Sequence, residues 1–383
     1  MNVLIAIDSF KGSLNTFRSG AAVTEAIRAV YPDAQIRVCP LADGGEGTVS
    51  AIVSALDGQI CQVEVCGPLG ESVIAEYGVV SERQLAIIEM SAAAGIMLVP
   101  EEKRNPLNTT TYGVGELILH AIEKMGCRHF LIGIGGSATN DGGLGMLSAL
   151  GFEFLDKDGN PVSYFGKGLR DIARITSDRC LPILKECNFE IACDVNNPLC
   201  GEFGCSRIYG PQKGATEEII LDMDAWLSNY ANLTKSIFEN SDISYPGAGA
   251  AGGLGFAFRS YLGATLTSGI ELVINVTELE KHVKDADIVI TGEGRLDIQS
   301  CMGKAPIGVA NIAKKHRKAV IAFSGAVTKD AVLCNEYGID AFFPIVRNPC
   351  SLKDAMNVNN AYDNLKNTAE QVFRLIKTFT NFE

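Results

Sequence analysis

The sequence predicts an α/β protein in which both ends of the chain contribute to one parallel sheet. Apolar runs of strand length alternate with helical spacing over the first 66 residues, and the same alternation returns near residue 284. Between them, residues 67–70 (GPLG) interrupt the pattern, and two antiparallel strands follow. We therefore expect a discontinuous domain of residues 1–68 and 284–383, with residues 69–283 inserted as a second α/β domain.

The N-terminal elements are predicted from their periodicity. Val3–Ile7 is a continuous apolar run, as a parallel strand buried on both faces requires. Apolar residues recur at helical spacing across Phe17–Val30 and Thr48–Leu56. Gln35–Cys39 and Gln59–Val65 complete a β-α-β-α-β order, and its short connections favour three parallel strands.

The remaining elements follow from the same rules. In the inserted region we predict strands at Val73–Val80, Gln84–Met90 and Phe130–Ile134, and helices at Gly113–Met125, Gly142–Leu150, Glu217–Glu239 and Ala250–Leu262. In the C-terminal region we predict strands at Asp287–Thr291, Ala319–Ser324 and Ala341–Ile345, and helices at Pro306–His316, Ala331–Tyr337 and Val358–Phe379.

Composition excludes several classes of protein. The 383 residues include 45 acidic and 33 basic side chains, a formal charge of −12, which argues against nucleic-acid binding. The twelve cysteines show no Cys-x-x-Cys spacing, so a zinc site is not expected. The longest apolar stretch, Leu85–Pro100, contains Glu89 and is too short to span a bilayer. We expect a reduced, cytoplasmic protein without membrane partners, and its oligomeric state, a homo-oligomer included, stays open.

Five polar or glycine-rich segments directly follow predicted strands, where open α/β sheets bind ligands. The first contains Asp8, Ser9 and Lys11. A carboxylate, a hydroxyl and an ammonium so close together suit an anionic or hydroxylated ligand. Alternatively, Asp8 or Ser13 caps the next helix.

The second segment contains Asp43, Gly44, Gly45 and Glu46 before a predicted helix. Glycines at a helix N-terminus leave backbone N–H groups open to phosphate. The two acids would repel a phosphate unless a divalent cation lay between the acids and the phosphate. Alternatively, the acids complement the helix dipole and bind no ligand.

The third segment, residues 133–138, matches the G-x-G-x-x-A pattern of dinucleotide-binding turns. Polar residues lengthen this loop to Gly143, whereas a dinucleotide-binding turn is already helical there. A similar glycine pattern at residues 247–252 lacks a convincing preceding strand. The loop's candidate ligand-binding residues are Gly135, Gly136, Ser137, Asn140 and Asp141.

The fourth and fifth segments add carboxylates and a guanidinium. Asp194 follows the apolar run of residues 189–193. Residues 291–297 (TGEGRLD) supply Gly292, Glu293, Gly294, Arg295 and Asp297. They bring a cation, two carboxylates and exposed backbone together; alternatively, they form a charged turn with internal salt bridges.

Known catalytic motifs are missing from the sequence. It contains no P-loop, protein-kinase, G-x-S-x-G or H-E-x-x-H pattern. Carboxylates, lysine, arginine and glycine-rich backbone together suit phosphoryl transfer, which needs positioned metal, cations and a carboxylate that orients a hydroxyl. An organic-acid-binding protein without catalytic activity and an NAD-dependent oxidoreductase remain as alternatives.

Eight motifs carry a resemblance to a known family. They are IAIDSFKGSL (5–14), PLADGGEGT (40–48), NPLNTTTYGVGELI (105–118), IGIGGSATNDGGLGM (132–146), CDVNNPLCG (193–201), YGPQKGA (209–215), GAGAAGGLG (247–255) and ITGEGRLDIQS (290–300). With these motifs the chain closely resembles the bacterial type I glycerate kinases (glycerate 2-kinases) over its whole length. Ile7 stands where the family often has proline and Cys205 where it often has alanine; neither change removes a polar group.

The resemblance implies ATP-dependent, Mg²⁺-requiring phosphorylation of D-glycerate, usually at the 2-hydroxyl, which gives 2-phosphoglycerate and ADP. It also implies a Rossmann-like domain with an inserted α/β domain and an active site in the cleft between them.

Given that chemistry, we predict a role for each polar group. Asp194 is the candidate general base, because it follows an apolar strand with no basic neighbour in sequence. Glu293 and Asp43 are predicted on the Mg²⁺ side, and Lys11 on the substrate carboxylate or the transferring phosphate. Arg295 and Asp297 complete the predicted catalytic group.

Overall fold

The computed structural model describes residues 1–42, 45 and 47–379, apart from the side chain of Met302. The strands are β1 (Asn2–Ile7), β2 (Gln35–Val38), β3 (Gln59–Cys66), β4 (Ser72–Val80), β5 (Leu85–Glu89), β6 (His129–Gly133), β7 (Glu153–Leu155), β8 (Arg174–Thr176), β9 (Asn188–Ala192), β10 (Thr265–Thr267), β11 (Ile288–Leu296), β12 (Ala319–Val327) and β13 (Ala341–Pro344). The α-helices are α1 (Thr16–Val30), α2 (Thr48–Ala55), α3 (Ser91–Ala94), α4 (Tyr112–Glu123), α5 (Leu144–Ala149), α6 (Cys205–Tyr209), α7 (Glu217–Lys235), α8 (Ala250–Leu262), α9 (Gly269–Val276), α10 (Leu279–Asp285), α11 (Ala305–Lys315), α12 (Leu352–Met356) and α13 (Val358–Phe379). The predicted α/β class is confirmed.

The chain divides into two compact units. The first comprises Met1–Asp43, Ser54–Leu56 and Ile270–Glu383, and the second comprises Gly44–Val53 and Asp57–Gly269. Relative to the predicted bounds, residues 44–53 and 57–68, the second of which contains β3, fall in the second unit, and residues 270–283 fall in the first. Within the described ranges, we find no helix with the length and apolar character needed to cross a membrane.

The first unit is built on a five-stranded sheet in the order β13-β12-β11-β1-β2. All neighbouring strands are parallel, so their carboxyl ends meet at one edge. Residues of β1, β11 and β12 form the core with the buried faces of α1 and α13, which pack against each other. The sheet therefore contains strands from both ends of the chain, as the sequence predicts.

Strand β11 continues beyond its predicted end at Thr291, as far as Leu296. It pairs with β12, which also runs beyond its predicted end, up to the register pair Leu296 and Val327. Gly292 permits this pairing, because a Cβ at that position would lie 2.1 Å from the carbonyl oxygen of Phe323. The charged residues Glu293 and Arg295 therefore lie within a strand, and not in the loop that the sequence suggested.

The second unit contains a six-stranded sheet in the order β10-β9-β6-β5-β4-β3. Strands β10, β9, β6 and β5 are parallel to one another, whereas β4 is antiparallel to both β5 and β3. The predicted β-α-β-α-β unit is wrong at its third strand. The connection from Cys66 to Ser72 closes with a hydrogen bond from Gly67 N to Glu71 O (2.6 Å), which makes a hairpin. A parallel crossover would need a much longer connection.

Two predicted helices also differ from the structure. In α8, Ala251, Gly252 and Gly253 have left-handed backbone angles, so the regular helix begins after the glycine pair. The predicted helix at Ala331–Tyr337 is a 3₁₀-helix over Lys329–Asn335. Glycine readily adopts positive φ, which is why a sequence with helical spacing can break at such a pair.

Candidate active site

A pocket of about 1020 Å³ lies in the first unit, at the carboxyl edge of its parallel sheet. It combines the first and fifth polar segments of the sequence with the ends of β12 and β13. Its charged and polar lining residues are Asp8, Ser9, Lys11, Ser13, Glu293, Arg295, Asp297, Gln299, Lys304 and Thr328. Apolar residues of β13, α12 and their connection line the rest, among them Ile345, Leu352 and Met356.

The loop after β1 places Asp8 in this pocket. Asp8 N donates to Gly292 O of β11 (3.0 Å), which fixes the backbone at the point where β1 ends. The Asp8 side chain is 5% exposed, and its Oδ1 accepts from Ser9 N (2.6 Å). Asn15 caps α1 by accepting from Arg18 N, so the alternative that Asp8 or Ser13 caps this helix is wrong. Asp8 and the exposed Lys11 both line the pocket.

Glu293 is a buried carboxylate at the pocket wall. It is 9% exposed, and the Ser300 hydroxyl donates a hydrogen bond to its Oε1. Burial raises the pKa of Glu293, while the Ser300 hydrogen bond and the positive charges of Lys304 and Lys11 oppose that rise. Removing a carboxylate from water costs free energy, so a cation bound in the pocket would stabilise its ionised form.

Asp297 shapes the turn after β11. Its Oδ1 accepts from the backbone N–H groups of Gln299 (2.9 Å) and Ser300 (3.3 Å). Its Oδ2 lies 3.4 Å from Arg295 Nε, so the alternative of an internal ion pair is observed. The Arg295 side chain is 66% exposed, and such a pair stabilises the fold little. Both side chains remain in the pocket lining.

The two glycines of this segment differ in their surroundings. Gly292 is buried and required by the pairing of β11 with β12, as described above. Gly294 has more room, because a Cβ there would lie 3.4 Å from Lys11 N and from the Cα of Phe10. Gly294 lines the pocket, whereas Gly292 supports the strand that carries Glu293.

A second group of predicted residues meets in the second unit. The register places the carboxyl ends of β5, β6 and β9 side by side. Beyond β6, Gly135 and Gly136 are exposed, and Gly136 has φ +71°. A Cβ at Gly135 would have only the Cα of Gly45 within reach, at 4.0 Å. The structure thus brings Gly45 and the loop of residues 133–143 together around accessible backbone.

Other predicted residues of this loop are buried. Asp141 is fully buried and accepts hydrogen bonds from Thr111 N, Thr111 Oγ1, Gly143 N and Gly145 N. Burial raises its pKa and these donors lower it. Asn140, 1% exposed, donates to Ser206 Oγ (2.9 Å). These contacts support a role for both residues in holding the loop.

The loop does not open a helix in the way that a dinucleotide-binding turn does. Helix α5 begins only at Leu144, well after the glycine pattern ends at Ala138. Ala138 N instead donates to Ala94 O (2.9 Å), and Gly136 O accepts from Ile96 N (2.8 Å). The loop therefore folds against the segment after β5.

Asp194 follows β9 in the second unit and is exposed. Its Oδ1 accepts from the backbone N–H of Gly269 (3.0 Å), the first residue of α9. It lies at the same sheet edge as Gly133, since Gly133 pairs with Ala192 in the β6–β9 register. Asp194 is thus near the glycine loop in the sheet, and it is not among the residues that line the pocket of the first unit.

Three residues of the second polar segment lie outside the described residues: Asp43, Gly44 and Glu46. The predicted pairing of Asp43 with Glu293 therefore stays a prediction. Within residues 1–42, 45 and 47–379, no group of three or more His, Cys, Asp or Glu side chains could hold a metal ion. Mg²⁺ commonly takes only one or two protein carboxylates together with phosphates, so Glu293 suits such a site.

Sequence reasoning assigned no role to three polar groups near these sites. Glu89 ends β5, and its Oε1 accepts from Val49 N (3.0 Å) in the first turn of α2. Like Asp8 and Asp194, Glu89 is a carboxylate at the end of a strand, so the criterion that selected those two residues would also have selected Glu89. Lys304 lines the pocket, and Lys213 is buried beneath the glycine loop. No sequence pattern signals the burial of Lys213.

Comparisons with known proteins agree with this fold. The model of the glycerate kinase family matches residues 3–377. A glycerate 2-kinase from Escherichia coli (strain K12) is 48% identical over 365 residues, which cover 95% of each chain. A glycerate kinase from Haemophilus influenzae is 46% identical over 376 residues, 98% of this chain and 99% of that one. A solved structure from Salmonella typhimurium LT2, assigned as glycerate kinase 2, superposes with a TM-score of 0.91 at 46% identity and covers 99% of this chain and 98% of its own. The chain is therefore an enzyme that belongs to the glycerate kinase family.

Proposed function

We propose that this enzyme transfers the γ-phosphoryl group of ATP to the 2-hydroxyl of D-glycerate, giving 2-phosphoglycerate and ADP. One observation carries the proposal: a single pocket in the first unit is lined by three acids and three cations. They are Asp8, Glu293, Asp297, Lys11, Arg295 and Lys304. Phosphoryl transfer needs this combination, because negative charge spreads over the phosphoryl oxygens while a hydroxyl must be oriented. The name of the Escherichia coli relative, glycerate 2-kinase, favours the 2-hydroxyl.

The cations of the pocket bind and orient negative groups. Lys11 reaches the pocket from the loop after β1, and we assign it to the substrate carboxylate or the transferring phosphate. Arg295 and Lys304 approach from β11 and the turn that follows. A guanidinium forms paired hydrogen bonds with phosphate or carboxylate, whereas an ammonium acts as a point charge. Together they stabilise charge that grows during transfer.

The carboxylates have different surroundings and hence different roles. Glu293 is buried with a raised pKa, which fits the Mg²⁺ side of the site. Mg²⁺ bound with the nucleotide neutralises phosphate charge. Asp194 at the carboxyl edge of the second sheet is our candidate base for the 2-hydroxyl proton. Exposed backbone at Gly135 and Gly136 suits an anionic group of a substrate.

Substrate-dependent release of ADP tests the proposed function. Purified enzyme with ATP and Mg²⁺ should release ADP with D-glycerate, and release much less with L-glycerate or lactate. Phosphorus NMR of the product should show 2-phosphoglycerate. The 3-phosphate would correct the position of transfer, and glycerate binding without ADP release would favour an organic-acid-binding protein instead.

The variant Lys11→Met tests the role of Lys11 in activity separately from any role in folding. The variant should lower kcat/KM by at least about tenfold, because it removes one cation from the pocket. Its thermal unfolding should match that of the wild type, since Lys11 is exposed. Lys329→Met, a change of an exposed lysine outside the pocket lining, is the matched control. Normal turnover of Lys11→Met would reject the assignment of Lys11.

A further inference from the structure

A buried lysine underlies the glycine loop of the second unit. Lys213 ends a short 3₁₀-helix, Pro211–Lys213, and is 2% exposed. Its Nζ donates to Ser137 Oγ (2.8 Å) and to the carbonyl oxygen of Thr139 (2.5 Å). Both acceptors belong to the loop between β6 and α5. The ammonium therefore joins two positions of this loop that are two residues apart.

The burial of the Lys213 ammonium indicates that this side chain has a specific role in the loop. Removing a charged amine from water is expensive unless hydrogen bonds replace its hydration. An apolar side chain would fill the same space without that cost. The buried Asp141 carboxylate lies near enough for its negative charge to favour the protonated amine. The loop is thus held by a charge-assisted contact, which is stronger than a neutral one.

The contact fixes the end of an exposed stretch of backbone. Ser137 is 8% exposed and Thr139 is fully buried, whereas the preceding Gly135 and Gly136 are exposed. Glycines have little intrinsic preference for one backbone conformation, so their N–H directions depend on what fixes the neighbouring residues. On the other side of Ser137, Ala138 N is bound to Ala94 O (2.9 Å). Lys213 supplies the side-chain contacts at Ser137 and Thr139 on either side of this anchor.

We propose that Lys213 is a positioning residue for phosphoryl transfer, which acts through Ser137 and Thr139 to hold the Gly135–Gly136 backbone ready for an anionic substrate group. The inference rests on the proposed function of the glycine loop. Without the amine, the loop would keep its backbone hydrogen bonds at Gly136 and Ala138 but lose the lysine contacts at Ser137 and Thr139. A misplaced binding group can lower the rate by about a hundredfold even when the fold is intact.

Three variants test the proposal. Lys213→Met removes the donors at similar length, Lys213→Arg keeps donors and charge, and Ser137→Ala removes one acceptor. Lys185→Met, a change of an exposed lysine in the same unit, is the control for the loss of a charge. We expect Lys213→Met to lower kcat/KM by about tenfold to a hundredfold. Lys213→Arg should recover part of this loss, and the control should match the wild type.

Two further readouts separate positioning from mere stability. Hydrogen exchange of native Lys213→Met should be faster at the amides of residues 135–139, with little change elsewhere. The double variant Lys213→Met with Ser137→Ala should be no worse than Lys213→Met alone, because Lys213→Met already breaks the contact that Ser137→Ala removes. A purely structural role would lower the unfolding temperature and leave kcat and KM unchanged below it.

The outcomes are distinguishable. Wild-type kinetics in Lys213→Met, or unchanged exchange at residues 135–139, would overturn the positioning role. If Lys213→Met fails to fold, Ser137→Ala decides: normal kcat/KM and exchange in that variant would overturn it as well. Wild-type enzyme without ATP-dependent turnover of D-glycerate would instead reject the proposed function, and the exchange experiment would still measure what Lys213 does to the loop.

Discussion

Gly252 packs directly against the carbonyl of Thr139: a Cβ at Gly252 would lie 2.2 Å from that oxygen. The same Cβ would lie 2.5 Å from the Cα of Asn140, and the φ of Gly252 is +69°. Gly142 N also donates to Gly252 O (2.9 Å). The glycine-rich start of α8 and the glycine loop after β6 are therefore fitted to each other at the level of the backbone.

This contact predicts a severe effect of Gly252→Ala. A left-handed backbone at a non-glycine residue costs roughly 1–2 kcal/mol, and the overlap with Thr139 adds to that cost. Gly263→Ala is the matched control, since Gly263 has φ +63° but nothing within 4 Å of its Cβ position. Thermal unfolding should show a clearly larger loss for Gly252→Ala. Equal losses would mean that backbone angle alone matters and that the packing against the loop does not.

Asp194→Asn tests the general base. The amide keeps an oxygen that can accept from Gly269 N, but it cannot take up a proton. We expect kcat to fall by about 10²-fold or more with little change in the KM for ATP. Asp178→Asn, at an exposed aspartate of the same unit, should behave as the wild type. A normal kcat in Asp194→Asn would move the search for the base to Asp8 in the pocket.

Glu293→Gln tests the metal side of the site. The amide can still accept from the Ser300 hydroxyl, but it has no charge for a divalent cation. The Mg²⁺ concentration needed for half-maximal rate should therefore rise. Glu336→Gln, at an exposed position of the same unit, provides the control. If Glu293→Gln instead lowered kcat without changing the Mg²⁺ dependence, and Asp194→Asn changed the Mg²⁺ dependence, the roles of the two residues would be exchanged.

Cys350 provides a chemical test of the pocket. It is the exposed thiol in the described part of the chain, and it lies in the pocket lining. Burial raises the pKa of Cys39 and Cys127 to about 11 and that of Cys205 to about 12, which suppresses their reactive thiolates. N-ethylmaleimide should modify Cys350 first and inactivate the enzyme, more slowly with substrates present. Cys350→Ser should stay active and resist; inactivation at the wild-type rate would place the sensitive thiol elsewhere.

The buried amine of Lys213 predicts a pH effect on stability. Burial lowers the pKa of Lys213 from 10.5 to about 8 in the folded protein. Between these values the unfolded chain holds a proton that the folded chain has released, so the free energy of unfolding rises with pH in this window. Urea unfolding of wild type and Lys213→Met should be measured from pH 8 to 10.5. Over this range the free energy of unfolding of the wild type should rise relative to that of the variant. A constant difference would mean that the amine stays protonated throughout.

Local patterns predicted most of the elements, because strand and helix periodicity depend on which faces are buried. The last helix has the predicted bounds, Val358–Phe379, and β1, α1 and the β4–β5 pair lie within a few residues of their predictions. The two errors in the strands occur where a distant partner decides. Strand β11 extends to Leu296 because β12 pairs with it, and β3 joins the second sheet because a tight turn leads into β4.

By itself, the sequence determined the α/β class, the family resemblance and the polar segments at strand ends, since each depends on residues close together in the chain. Tertiary structure alone decided which of these segments meet. It brought Asp8 and Lys11 to the pocket of Glu293, Arg295 and Asp297. It buried Asp141 under backbone donors and set Lys213 beneath the glycine loop. Burial and hydrogen bonding between residues far apart in the chain fix these contacts, and no local spacing records them.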